Sequence, residues 1–160
     1  MKTSTSGFTL VELMVIIAMA TILFTMAIPS FTSMVRNTRL ATQANEFVSD
    51  LNLARSEAIK RGERVRVCKS ADGTTCTGDG AWTQGWIVEV EGSGELLRAR
   101  GILREGLALT GNQKVANSVI YRPDGSTANN GSITLCAKDR GVDVIIAMGG
   151  RVRTENTSCP

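Results

Sequence analysis

Sorted into apolar and polar positions, the chain has three regimes. Residues 8–28 are almost continuously apolar, and Glu12 is the one charge among them. A helix of about 20 apolar residues spans the ~30 Å hydrocarbon core of a bilayer, so this stretch is long enough to cross one. A carboxylate inside it is costly unless something neutralises it. From Thr32 the pattern becomes amphipathic. Val35, Leu40, Ala44, Phe47, Val48, Leu51, Ala54, Ala58 and Ile59 recur at helical spacing, and Arg36, Asn37, Arg39, Asp50, Asn52 and Arg55 supply polar faces. Glu57 and Arg61 stand one helical turn apart, and Gly62 is a stop signal. The pattern predicts one helix over residues 8–61, about 80 Å long at 1.5 Å per residue. Pro29 is expected to bend or loosen it at the join.

After Gly62 the period changes to two. Arg64-Val65-Arg66-Val67-Cys68 and Trp86-Ile87-Val88-Glu89-Val90-Glu91 alternate as strands do. Between them residues 69–85 are rich in Gly, Asp, Thr and Ser and predict a loop. A hairpin turn at 91–94 leads into 95–100. Further strands are predicted at 106–110, 117–121, 132–137 and 142–148, with turns at 123–125 and 129–131. Gly149-Gly150 breaks the pattern before an extended Arg151-Val152-Arg153. The fold class is α+β: one long N-terminal helix packed on an antiparallel β-domain.

Composition narrows the function. The chain has 160 residues, a net charge of +3 and only 4% aromatic residues. One modest core of Val, Ile, Leu and Ala is expected, with Trp82 and Trp86 as its large members. With no histidine, the usual general base and the Ser-His arrangement are missing, and the chain does not read as an enzyme. The four cysteines, Cys68, Cys76, Cys136 and Cys159, allow three pairings and follow an export-like segment, which suggests disulfides. Cys68–Cys76 and Cys136–Cys159 each close a local loop and are favoured. A zinc site would lack both histidine and a Cys-x-x-Cys pair. Asp72 and Asp79 lie in a loop without the regular spacing of a calcium site. No cofactor or metal is expected.

The stretch Gly7-Phe8-Thr9-Leu10-Val11-Glu12-Leu13 before the apolar run resembles the leader of type IV pilins and type II secretion pseudopilins. That resemblance implies cleavage after Gly7 by a prepilin peptidase, methylation at Phe8, and Glu12 as the assembly residue facing a neighbouring subunit's amine. Pro29 matches the family's helix-kinking proline. Leu53-Ala54-Arg55-Ser56-Glu57-Ala58-Ile59-Lys60-Arg61 and Tyr121-Arg122-Pro123-Asp124-Gly125-Ser126 resemble the FimT/GspH branch of minor pilins and pseudopilins. The implied layout is a leader at 1–7, a transmembrane or filament-core half-helix at 8–29, an amphipathic half at 30–61, and a β-domain of two small sheets at 62–160. The implied location is the inner membrane as a single span before assembly, then a cell-surface pilus, with the β-domain periplasmic or extracellular. The implied partners are the prepilin peptidase and the other pilins of the filament.

Gly149-Gly150-Arg151-Val152-Arg153 carries the candidate chemistry. Two arginines one residue apart in an extended segment face the same way, roughly 6.6 Å apart. Their planar forks suit phosphate oxygens. The glycines allow a tight turn and close approach by a backbone. Gly150, Arg151 and Arg153 also match the Gly-Arg-x-Arg motif associated with DNA binding in the FimT minor pilins of natural transformation. Lys138 and Arg140, in the neighbouring loop, are expected to extend that basic surface. Spacing alone favours solvated strand residues paired with Glu155 or Asp143, and it is the resemblance that points to DNA. Residues 122–160 hold five basic and four acidic side chains, a net of +1. Binding to double-stranded DNA would thus be weak, salt-dependent and non-specific, made to phosphates. A second cluster, Lys60, Arg61, Arg64, Arg66 and Lys69, reads as a solvated face or an intersubunit contact. The alternative without DNA is a structural, FimU-like priming minor pilin or a GspH-like secretion pseudopilin.

Overall fold

The computed structural model describes residues 7 and 9–159, with the side chains of 26–30 outside that description. The leader residues before Gly7, the methylation position Phe8 and the Pro29 side chain therefore lie outside the described residues. The chain divides into two compact units, Met1–Arg36 and Asn37–Pro160. Helix α1, Leu10–Arg61, contributes to both.

In the first unit, α1 starts where Thr9 caps it. The Thr9 hydroxyl accepts the Glu12 amide at 3.3 Å, and its carbonyl accepts the Leu13 amide at 3.1 Å. Glu12 in the first turn complements the positive end of the helix dipole. The large apolar side chains from Leu10 to Phe24 stand exposed around the helix. Thr21 and Thr25 donate their hydroxyls back to the carbonyls of Ile17 and Ile22, at 2.8 and 2.7 Å. Among the described residues nothing pairs with the Glu12 carboxylate, and no helix is long and apolar enough to cross a membrane.

The second unit is two antiparallel four-stranded sheets on the C-terminal part of α1. The strands are β1 (Val65–Lys69), β2 (Trp86–Val90), β3 (Leu96–Arg100), β4 (Ala108–Gly111), β5 (Ser118–Tyr121), β6 (Gly131–Ala137), β7 (Arg140–Ile146) and β8 (Val152–Ser158). Their order is β3-β2-β1-β5 in one sheet and β4-β6-β7-β8 in the other. Leu40, Ala44, Phe47, Leu51, Ala54 and Ala58 form the buried stripe of α1. They meet Val65, Val67 and Val88 of the first sheet, and Ile133, Leu135 and Val144 of the second, in one core. Phe47 packs edge-on against both Trp82 and Trp86, at centroid distances of 5.6 and 5.1 Å. Every member of this core lies at or beyond Leu40, so residues 37–160 carry their whole core.

Two positions depart from the periodicity. Ile59, predicted in the apolar stripe, is 53% exposed. Asp50, predicted on a polar face, is fully buried. Its carboxylate accepts Trp86 Nε1, Arg98 Nη1 and Arg100 Nε, each at 2.9 Å, and so joins α1 to β2 and β3. Helical spacing places Asp50 beside Phe47 and Leu51, and only those distant partners make its burial tolerable.

Candidate nucleic-acid interface

The Gly-Arg-x-Arg segment is the far side of the β7–β8 hairpin. Ile146 pairs with Val152 and Ile145 with Arg153, and three residues, Met148, Gly149 and Gly150, make the loop between Ala147 and Arg151. The Gly150 amide donates to the Ala147 carbonyl at 2.8 Å, and the Ala147 amide donates to the Arg151 carbonyl at 3.0 Å. Gly150 takes a left-handed conformation, φ 76°, as this kind of loop demands at its last position. Extended by one step, the ladder register sets Arg151 on the same face as Arg153, the face opposite the buried Val144 and Ile146.

Both arginines are exposed. Arg153 Nε lies 3.2 Å from the Glu155 carboxylate, with the two side chains 70% and 57% exposed, so water weakens that pair. Among the described residues the Arg151 guanidinium has no ion-pair or hydrogen-bond partner. Asp143, the other acid within this sheet that spacing offers as a partner, instead accepts the Thr134 hydroxyl at 2.5 Å.

Gly150 has a different part from the one its sequence suggests. It is buried, and a Cβ on it would lie 1.9 Å from the Gly125 carbonyl oxygen. The backbone that approaches it closely is the protein's own. The Tyr121-Arg122-Pro123-Asp124-Gly125-Ser126 phrase is that second turn. Gly125 N–H donates to the Arg122 carbonyl at 2.8 Å, and Asp124 accepts the Ser126 amide and hydroxyl at 2.9 and 2.6 Å. The Ser126 hydroxyl, above all, holds the Asp124 carboxyl below its ordinary range. Tyr121 is fully buried beside this turn, and burial pushes its phenol upward.

Lys138 and Arg140 do not join Arg151 and Arg153. Lys138 and Asp139 form the two-residue β6–β7 turn, and Arg140 opens β7 opposite Ser158 rather than lying in a loop. Arg140 therefore stands five strand residues from the rung that carries Arg153, about 17 Å along the strand. It also shares the parity of Val142, Val144 and Ile146, the opposite face. The expected composite basic surface is split by strand direction and pleat.

The cations of the cluster at residues 60–69 are engaged within the fold. Arg61 meets Glu57 and Glu95, each at 2.7 Å, Arg64 meets Glu91 at 3.7 Å, and Arg66 pairs with the buried Glu89. Lys69 is buried and donates to the Gly80 carbonyl at 2.8 Å. Cys68–Cys76 and Cys136–Cys159 are disulfides, with Cα separations of 5.6 and 6.0 Å. Glu89 lies near Cys68 and Cys76, but bridged sulfurs offer a metal no thiolate. Asp72 spends its oxygens on Ser70, Thr74 and Thr75, and the Thr75 and Thr74 amides hold its carboxyl far below the usual range. That is turn chemistry.

The comparisons with known proteins agree with this architecture. The family model of the type II transport protein GspH matches residues 43–150, and that of the prokaryotic N-terminal methylation motif matches residues 2–28. No curated protein sequence matches the chain. Among solved structures, the type IV minor pilin FimU of Pseudomonas aeruginosa superposes with a TM-score of 0.62 at 22% identity, over 74% of this chain and 90% of that one. The minor pseudopilin EpsH, from the Type 2 Secretion System of Vibrio cholerae, gives 0.54 at 18% identity, over 73% and 96%. Those structures share the fold, and the GspH match covers well over half of the sequence. The chain belongs to the GspH family of type II transport proteins.

Proposed function

We propose that this chain is a minor pilin of a type IV pilus that binds double-stranded DNA without sequence preference and aids DNA uptake in natural transformation. Arg151 and Arg153 make the phosphate contacts, and Gly150 shapes the loop that presents them. The observation that carries the reading is the exposed Arg151 guanidinium, without a partner among the described residues, beside the weakly paired Arg153 on one hairpin face. Residues 122–160 contain no aromatic residue to stack a base, which favours backbone contacts over readout.

The chain is cut after Gly7, methylated at Phe8, and held in the inner membrane through residues 8–29 until it enters the filament. The β-domain then faces the periplasm or the cell exterior. An apolar helix exposed all round needs lipid or other subunits to cover it. Glu12, uncompensated among the described residues, suits the amine of a neighbouring pilin. Glu12→Ala is expected to abolish incorporation into pili; normal incorporation would remove this role.

DNA binding is tested by titrating a random-sequence duplex into residues 37–160 at several salt concentrations, beside Arg151→Gln/Arg153→Gln. The double variant is expected to bind at least about tenfold more weakly, and its dependence of log K on log salt to flatten by about 2. Absence of binding by the unmodified domain at low salt would leave the structural reading, in which the hairpin contacts only other subunits. The exposed Arg153–Glu155 pair is what favours that second reading.

A further inference from the structure

Hairpin tips with few buried contacts open easily, and this one is secured from a distant part of the chain. Arg55 on α1 donates Nε to the Gly125 carbonyl at 3.0 Å and Nη2 to the Gly149 carbonyl at 3.2 Å. One planar guanidinium thus ties the helix to two turns at once. Gly150 fits against Gly125 so closely that only a residue without Cβ can sit there. Thr127 adds a second tie: its amide donates to the Met148 carbonyl at 2.9 Å and its hydroxyl to the Ala147 carbonyl at 3.1 Å. Arg55, the Gly125 turn and the Gly149-Gly150 loop are far apart in sequence and meet at one junction immediately before Arg151.

We propose that Arg55 is the positioning residue of the phosphate-binding hairpin. It spends its fork on two carbonyls of its own chain and acts on DNA through the placement of Arg151 and Arg153, without touching a phosphate. This rests on the DNA-binding reading above. Lysine cannot replace it, because a single ammonium lacks two coplanar donors on different nitrogens. A loosened tip must be ordered again on binding, and affinity falls by that cost.

The test uses residues 37–160 and a short random-sequence duplex, with Arg55→Lys, Arg55→Gln and Gly150→Ala compared with the unmodified domain. Thermal melts establish that each variant is folded at the assay temperature, and amide NMR spectra locate the disturbance. All three variants are expected to bind about fivefold or more weakly while keeping the wild-type salt slope, because the phosphate contacts are unchanged. Beyond the substituted residue and its immediate helix neighbours, amide shifts should be confined to residues 125–127 and 147–152. Gly150→Ala breaks the same junction without altering Arg55, so the test survives if an Arg55 variant melts. Full affinity in Arg55→Lys, with a slope shallower by about 0.9 in Arg55→Gln, would make Arg55 a direct phosphate contact and overturn the proposal. So would unchanged affinity in every variant. Absence of binding by the unmodified domain overturns the DNA reading itself, a result distinct from either of these.

Discussion

The two sheets treat their cations differently. On and beside the first, β3-β2-β1-β5, Arg61, Arg64, Arg66, Arg98 and Arg100 each face a carboxylate, and Lys69 is buried against backbone carbonyls. On the second, Arg151 is unpaired among the described residues, and Arg153 meets Glu155 in the open. The first sheet's region is richer in basic residues, yet its charges are spent on the fold. An anion site is marked by cations that still lack partners, and a count of Lys and Arg along the sequence does not reveal it.

The contrast can be broken most strongly at Asp50. Asp50→Ala strips Arg98 and Arg100 of their shared carboxylate and Trp86 Nε1 of its acceptor. It is expected to cost about 3 kcal/mol in urea unfolding, reduced from the upper end for buried pairs because both arginines reach water. A loss well below 1 kcal/mol would mean that the arginines rehydrate freely. Arg66→Gln, which leaves the buried Glu89 alone, is expected to cost about 1 kcal/mol of stability and to leave DNA affinity within about twofold. A large fall in DNA affinity would show that the first sheet's cations are available after all. The smallest change sharpens the contrast from the other side. Glu155→Gln frees Arg153 and is expected to tighten DNA binding about twofold, in line with the ~0.5 kcal/mol of an exposed pair. Weaker binding would mean that Glu155 orients Arg153.

Much of the fold was legible because local rules and tertiary packing agree. The stripe Leu40, Ala44, Phe47, Leu51, Ala54, Ala58 reads directly as a helix face and is the buried face. Turn chemistry at Asp124-Gly125 and the glycines after Ile146 marked where strands end. The motif residues Arg151 and Arg153 were also legible, as two like charges at strand spacing. Lys138 and Arg140 were misplaced because nearness in sequence says nothing of which end of an antiparallel ladder a residue occupies.

The amino-acid sequence by itself determined the apolar N-terminal helix with its lone acid, the change from helical to strand period at Gly62, and the pair of arginines. These depend on spacing and side-chain type, which are local properties. Tertiary structure alone decided which charges remain free. It buried Asp50 between two arginines, paired Arg61, Arg64 and Arg66 with carboxylates, and carried Arg140 to the far end of its sheet. It also brought Arg55, Gly125 and Gly150 to one junction. Charge pairing and close backbone approach act through space, between residues the sequence holds far apart, so only the folded chain settles them.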